Sequence, residues 1–405
     1  MAKKGTAVPL SELEQAVSDR EAEDLVTRLL ATRGGSGCEA EVMAIVASEL
    51  AKAGLPEGKL SHDTAHRRSV HGGEIGNAIL RMPGKRKGPR RLFSAHTDTV
   101  PICLGARPVK KNGFITSSDP ATGLGADDRS GTAVLLTTAI ALLRTGAAHL
   151  PLTLLWLVQE ETGLHGAKNV TVSKLGGAEE GYNFDGGDSA KLRVGATGAF
   201  RLDITVSGIP SHAGMAPEKG VSAIAIASVA IADLVENGWQ GLIEKGKKTG
   251  TSNIGVFHGG EATNVLTDRV KLRGEARSHD PAFRKRIVSE IEKAFARAAK
   301  KLKTSEGRRG AVAIEVRQDY ESFRLKDSDP VVVAATMAIE HCCGVSDPVM
   351  AVANGGLDAN WLTAHGVPTV TMGCGQENIH TVDERLNLKD FHLARRIALR
   401  LATSP

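Results

Sequence analysis

Residues 152–161 read LTLLWLVQEE, and this stretch decides how the chain folds. The run 152–158 is apolar almost throughout, has the length of a strand and lacks alternation, which is the pattern of a strand buried on both faces. Two glutamates, Glu160 and Glu161, follow at once. Upstream, 130–144 (SGTAVLLTTAIALLR) reads as a buried helix. Residues 77–82 and 91–95 read as strands parted by Pro83-Gly84 and a basic turn. Residues 10–31 and 39–53 have helical periodicity, ended by Gly34-Gly35-Ser36-Gly37 and by Gly54 with Pro56. Strands alternating with helices predict an α/β domain with a mixed, largely parallel sheet flanked by helices.

Working outward from this domain, the pattern changes near Lys191. Strand-like stretches at 200–207, 253–258, 269–277 and 311–318 surround two helical ones, 221–236 and 281–302. That β-α-β-β-α-β order predicts a ferredoxin-like α+β unit. Signals of the first kind resume after Asp329. The expected division is therefore a catalytic domain in two parts, 1–192 and 320–405, interrupted by an inserted domain, 193–319.

Composition narrows the function classes. The 405 residues are 41% hydrophobic and 24% charged, which is ordinary for a globular protein. Aromatic residues make up only 3%, so base-stacking recognition of single-stranded nucleic acid is poorly supported. The net charge of +5 is spread over short, separated basic stretches such as 85–87 and 245–248, which read as solvated loops. No nucleic-acid partner is expected. Five cysteines, Cys38, Cys103, Cys342, Cys343 and Cys374, show no paired metal-ligand spacing and read as reduced thiols. With no leader-like apolar segment in residues 1–9 and no apolar run of membrane-spanning length, the expectation is a cytoplasmic protein without a membrane partner.

The chemistry sits at strand ends. His96 follows 91–95, Glu160 and Glu161 follow 152–158, and Asp185 follows the short apolar segment 182–184. In open α/β sheets, ligands bind beyond the carboxyl ends of the strands, where these side chains can converge. Mixed imidazole and carboxylate donors suit zinc, and also cobalt or manganese. Asp98, two residues after His96, is spaced to take the imidazole N–H that does not face a metal. Of the two adjacent glutamates, one can bind metal while the other, most economically Glu160, acts as general base. Taken singly these residues have plainer explanations: Asp127-Asp128 could cap the helix that follows, and Asp185 before Gly186-Gly187 could be a turn residue.

Jointly they are specific. Ser94 to Val100 (SAHTDTV), Gly125 to Gly131 (GADDRSG), Gln159 to Gly163 (QEETG), Ser211-His212-Ala213-Gly214, Gly259-Gly260 with Thr263-Asn264-Val265, Asn354 to Asp358 (NGGLD), and His380 with Glu384 form one ordered series. In these motifs the chain resembles the zinc-dependent aminoacylase and carboxypeptidase superfamily, most closely its peptidase-T-like (tripeptide aminopeptidase) branch. The likeness runs from about Gly35 to the C-terminus. Asp at 185, where several deacetylases and carboxypeptidases of the superfamily have Glu, also points to the peptidase side.

The resemblance implies two zinc ions, with cobalt or manganese as substitutes. His96 and Asp185 would hold one, Glu161 and His380 the other, with Asp127 between them and a cis peptide bond after Asp127. It further implies Asp98 as the residue orienting His96, Glu160 as the general base, and His212 as an oxyanion-stabilising group supplied by a partner subunit. Asn264 and Arg277 match positions that hold carbonyl or carboxylate groups of the substrate. The implied activity is hydrolysis of short peptides by a homodimer paired through the inserted, lid-forming domain. N-acyl-amino-acid amidohydrolysis, deacetylation or dipeptide hydrolysis in the same superfamily, and a catalytically silent binding protein, are the alternatives.

Overall fold

A computed structural model describes residues 9–404, so the leader expectation for the first residues falls outside the described part. The chain divides into two compact units, one made of Met1–Ala196 and Arg324–Pro405, the other of Thr197–Phe323.

The first unit is built on a nine-stranded sheet whose order begins Leu60–His62, Ala78–Met82, Leu152–Leu157, Arg91–His96, Glu180–Phe184, Thr369–Met372, Lys191–Ala196. The four strands from Leu152–Leu157 to Thr369–Met372 run parallel, while Ala78–Met82 and Lys191–Ala196 pair antiparallel to their inner neighbours. The sheet is thus mixed and largely parallel at its centre, as the sequence predicts. Every residue of Leu152–Leu157 is buried. Successive side chains leave a strand on opposite faces. Leu155 and Leu157 join Ile79, Leu92, Ala167 and Leu362 in the core on one face. On the opposite face, Trp156 donates its indole N–H to the Thr132 carbonyl of the helix Ala126–Thr145 at 3.3 Å.

Two local features differ from the sequence reading. The first helical segment is two helices, Leu10–Gln15 and Asp19–Ala31: the first ends at Ala16, and Ser18, in extended geometry, caps the next, its hydroxyl accepting the Glu21 N–H at 3.2 Å. A small four-stranded sheet, in the order Gln376–Glu377, Arg385–Asn387, Phe114–Ser117, Pro108–Lys111, has strands too short to register as periodicity.

The second unit is an antiparallel five-stranded sheet, ordered Gly241–Lys245, Lys248–His258, Arg269–Ser278, Gly198–Ser207, Ala311–Tyr320. Helices Ala223–Glu236 and Pro281–Lys301 carry its core, with Ile226, Ala230, Phe283 and Ile291 buried among Leu202, Ile204 and Leu272. The ferredoxin-like arrangement is present with one strand more than the sequence suggests. Gly241–Lys245 buries only Ile243, and Gly246 (φ 65°) turns it back at the basic stretch 245–248. The first and last strands of the unit lie side by side, with Ala199 opposite Tyr320. Among the described residues no helix is long and apolar enough to cross a membrane.

Candidate metal centre

The parallel strands at the sheet centre end on the same edge, and that edge collects the acids and histidines. His96 closes Arg91–His96, Gln159-Glu160-Glu161 follow Leu152–Leu157, and Asp185 follows Glu180–Phe184. Asp127 arrives from the start of Ala126–Thr145, where the backbone leaves helical geometry at Asp127 (φ −80°, ψ 105°) and Asp128 (φ −122°, ψ 45°). The Asp127–Asp128 peptide bond is cis. His380 sits in the connection between the paired strands Gln376–Glu377 and Arg385–Asn387, at φ 64°.

Donor atoms of three groups lie within 4.8 Å of one another: His96 with Asp127 and Asp185, His96 with Glu160 and Glu161, and Asp127 with Glu161 and His380. Asp127 is common to the first and third. Its Oδ1 is 3.0 Å from His96 Nε2, and its Oδ2 is 3.4 Å from His380 Nε2. His380 Nε2 is also 3.0 Å from Glu161 Oε2, and Asp185 Oδ1 is 3.9 Å from His96 Nε2. One carboxylate therefore addresses two imidazoles, one with each oxygen.

The charge balance of this edge fits cations. Burial, then repulsion from Asp127, pushes the Asp185 carboxyl up to about 7. Glu160 is raised by burial and by the carboxylates of Asp358, Asp185 and Glu161, and Asp128 by burial and Asp185. His380, hydrogen-bonded to Asp127 and Glu161, is raised to about 10. Against burial, the carboxylates of Asp127 and Asp98 also raise His96. Asp358 is wholly buried, and neither of its oxygens has a hydrogen-bond partner. Desolvated carboxylates in excess of the nearby bases are stable when paired or coordinated to cations. The mixed N and O donors suit zinc.

Asp98 is fully buried and holds more than His96. Its Oδ1 accepts the Glu160 N–H at 3.0 Å, and its Oδ2 accepts the Glu161 N–H at 3.2 Å and the Ser36 hydroxyl at 2.6 Å. His96 Nδ1 is nearer the Asp98 main-chain carbonyl (3.0 Å) than its carboxylate (3.4 Å). Gln159, held at φ 54°, has its N–H on Glu39 Oε1 at 3.0 Å and its side-chain oxygen on the Ser69 hydroxyl at 2.6 Å. A left-handed non-glycine residue costs about 1 kcal/mol, and these bonds hold it in place.

Three supporting carboxylates, Asp128, Glu384 and Glu39, were given no part in the site by the sequence reading. Asp128 Oδ2 accepts the His96 N–H at 3.1 Å, and its Oδ1 accepts from Gln376 Nε2 at 2.9 Å. Glu384 Oε2 accepts the N–H groups of Leu124 (3.1 Å) and Gly125 (2.8 Å), and its Oε1 accepts that of Asp127 (3.1 Å). Glu39 completes the set. The only sequence signals were the second Asp of GADDRSG and the Glu four residues after His380. Cys374 is a packing residue: buried, beside Ser130 Oγ at 3.2 Å, and outside the donor groups.

His212, Asn264 and Arg277 belong to the second unit and to none of the donor groups. His212 is exposed, and its Nδ1 accepts the N–H groups of Gly214 (3.2 Å) and Met215 (3.1 Å). An Nδ1 that accepts leaves the proton on Nε2, so the ring presents an N–H donor outward. Asn264 is exposed and pins the His212 loop through its carbonyl, which takes the Ala213 N–H at 2.9 Å. The Arg277 guanidinium is engaged by both oxygens of Glu275 at 2.9 Å.

Comparisons with known proteins identify the family. Residues 92–404 match the model of peptidase family M20/M25/M40. The uncharacterized protein YqjE of Bacillus subtilis is 35% identical over 323 residues, 80% of this chain and 82% of that protein. A tripeptidase from Staphylococcus aureus superposes with a TM-score of 0.84 at 30% identity, covering 96% of this chain and 98% of its own. The aminopeptidase PepT of Bacillus cereus superposes at 0.81 with 31% identity over the same shares. The resemblance read from the motifs is thereby borne out, and the chain belongs to peptidase family M20/M25/M40.

Proposed function

We propose that this protein is a two-zinc exopeptidase of the tripeptide aminopeptidase kind, acting on short peptides as a homodimer. The observation that carries the reading is the Asp127 carboxylate, with one oxygen toward His96 and the other toward His380, set beside the half-buried Glu160–Glu161 turn. His96 and Asp185 would hold one ion and Glu161 and His380 the other, with Asp127 common to both groups. The chemistry that zinc, or cobalt or manganese in its place, would supply when bound is Lewis acidity toward the scissile carbonyl and water.

The remaining work falls to side chains. Glu160, raised by burial, takes a proton from the attacking water and returns it to the leaving amine. Asp98 keeps the turn that carries Glu160 in place through its two main-chain hydrogen bonds. His212, contributed by the partner subunit, offers its Nε2–H to the developing oxyanion, the electrostatic contribution expected to be largest. Asn264 and Arg277 hold substrate carbonyl or carboxylate groups. For Arg277 this requires the guanidinium to be shared with Glu275.

The test is a panel of tripeptides, dipeptides and N-acyl amino acids assayed with added zinc, cobalt or manganese. Tripeptides with a free amino terminus are expected to be cut fastest. Turnover confined to N-acyl amino acids would establish an amidohydrolase instead. Less than one ion per chain after gentle purification, with no hydrolysis, would establish a binding protein.

A further inference from the structure

A cavity of about 510 Å³ opens beside the metal centre and lies wholly within the first unit. Glu161 is part of its wall, and the same carboxylate is 3.0 Å from His380. Anything bound in the cavity therefore lies beside a member of the donor groups. Its volume falls in the range of small-molecule sites, about 300–1,000 Å³. The inner wall is formed by Gly34, Gly35, Thr99, Val100 and Leu104, all buried or half-buried and uncharged. The charged groups of the lining other than Glu161 are exposed at the rim: Glu41, Glu74 and Arg33.

We infer that this cavity receives the apolar side chain of the substrate's amino-terminal residue; the inference rests on the peptidase reading above. An apolar wall rewards burial of an aliphatic or aromatic side chain in proportion to the area removed from water. Two rim carboxylates against one guanidinium favour the end of a peptide that carries an ammonium over the end that carries a carboxylate. The wall is also firmly built. Thr99 N–H donates to the Gly34 carbonyl at 3.2 Å, and Gly35 bridges to Thr99. Ser36 donates to the Asp98 carboxylate that holds Glu160 and Glu161, and Glu39 holds both Gly37 (2.8 Å) and Gln159 (3.0 Å) by their N–H groups. The loop that lines the cavity and the turn that carries the proposed base thus share hydrogen-bond partners. A side chain seated in the cavity fixes the scissile bond relative to Glu160, so the pocket serves turnover as well as affinity.

Two substitutions narrow the pocket. A methyl group on Gly35 would meet Leu104 at 3.5 Å, an ordinary contact, so Gly35→Ala fits while filling space; Leu104→Phe enlarges the neighbouring side chain of the same lining. Kinetics of the zinc-loaded protein on Leu-Gly-Gly, Gly-Leu-Gly and Gly-Gly-Gly form the first measurement. The ratio of kcat/KM for Leu-Gly-Gly over Gly-Gly-Gly should fall about tenfold in each variant, the scale of a methylene gained or lost in an apolar pocket. A fall confined to the Gly-Leu-Gly ratio, or no change in either, overturns the assignment.

The second measurement needs no turnover. Cys38 is exposed and lines the cavity, whereas Cys103, Cys342 and Cys374 are buried. Alkylation of Cys38 by N-ethylmaleimide, with Cys38→Ser identifying the labelled site, should slow at least threefold in millimolar leucine and remain unchanged in glycine. Equal labelling in both overturns the pocket. Protection by leucine in a protein that cuts no peptide supports the pocket and overturns the peptidase reading.

Discussion

Glu160 hangs from Asp98: its main-chain N–H donates to Asp98 Oδ1 at 3.0 Å, while His96 is oriented mainly by the Asp98 main-chain carbonyl. The carboxylate thus serves the turn more than the imidazole. Asp98→Asn keeps the main-chain carbonyl but removes one of the carboxylate's acceptor oxygens. The variant should retain its metal and lose turnover by roughly 10–100-fold, the range for partners that orient ligands. Metal analysis alongside steady-state kinetics checks this; zinc lost in step with activity would return Asp98 to the imidazole alone.

Glu160→Gln preserves size and removes the basic oxygen. We expect unchanged metal content and a fall in kcat of about 10²–10⁴, the usual contribution of a general base. Full activity in this variant would remove Glu160 from the proton path.

Glu384 ties the strand pair that bears His380 to the loop that bears Asp127. Glu384→Gln turns an amide NH₂ toward at least one of three buried N–H donors, and an unsatisfied buried N–H costs about 1–3 kcal/mol. Urea denaturation of the chelator-treated protein should register a loss of about 2 kcal/mol, and metal titration should find weakened binding. Wild-type values in both measurements would leave Glu384 without a positioning role.

Glu39 gives the clearest pH signature. Burial, then the Asp98 charge, pushes its carboxyl from 4.5 up to about 7 in the fold. A group raised in this way contributes stability below pH 4.5 that is lost as the pH passes through 7. Between about pH 5 and 8 the metal-free protein should therefore weaken by up to ~3 kcal/mol relative to Glu39→Gln, whose amide keeps an acceptor for Gly37 and Gln159. Parallel stability curves for the two proteins would refute it.

The site was legible where chemistry coincides with punctuation. His96, Glu160, Glu161 and Asp185 could be placed because each ends an apolar run, and parallel strands bring such ends to one edge. Asp127 and His380 were harder, since one interrupts a helix and the other sits between strands two and three residues long; only the family resemblance gave them roles. Asp128, Glu39 and Ser36 escaped because a residue that accepts or donates main-chain hydrogen bonds looks like any loop residue until the chain is folded. The extra strand Gly241–Lys245 was hidden for a related reason. With one buried side chain it has no apolar alternation, and its turn reads as a basic loop.

The pairing of Ala199 with Tyr320 means that the inserted unit begins and ends on neighbouring strands. A segment whose two ends meet is a cassette: it can be excised and the gap closed by a short linker with little cost in chain entropy. Residues 197–323 should therefore fold when expressed alone. The remaining chain, rejoined across the gap, would keep every donor around Asp127 while lacking His212, so the proposed metal site and the proposed oxyanion role can be assayed on separate polypeptides.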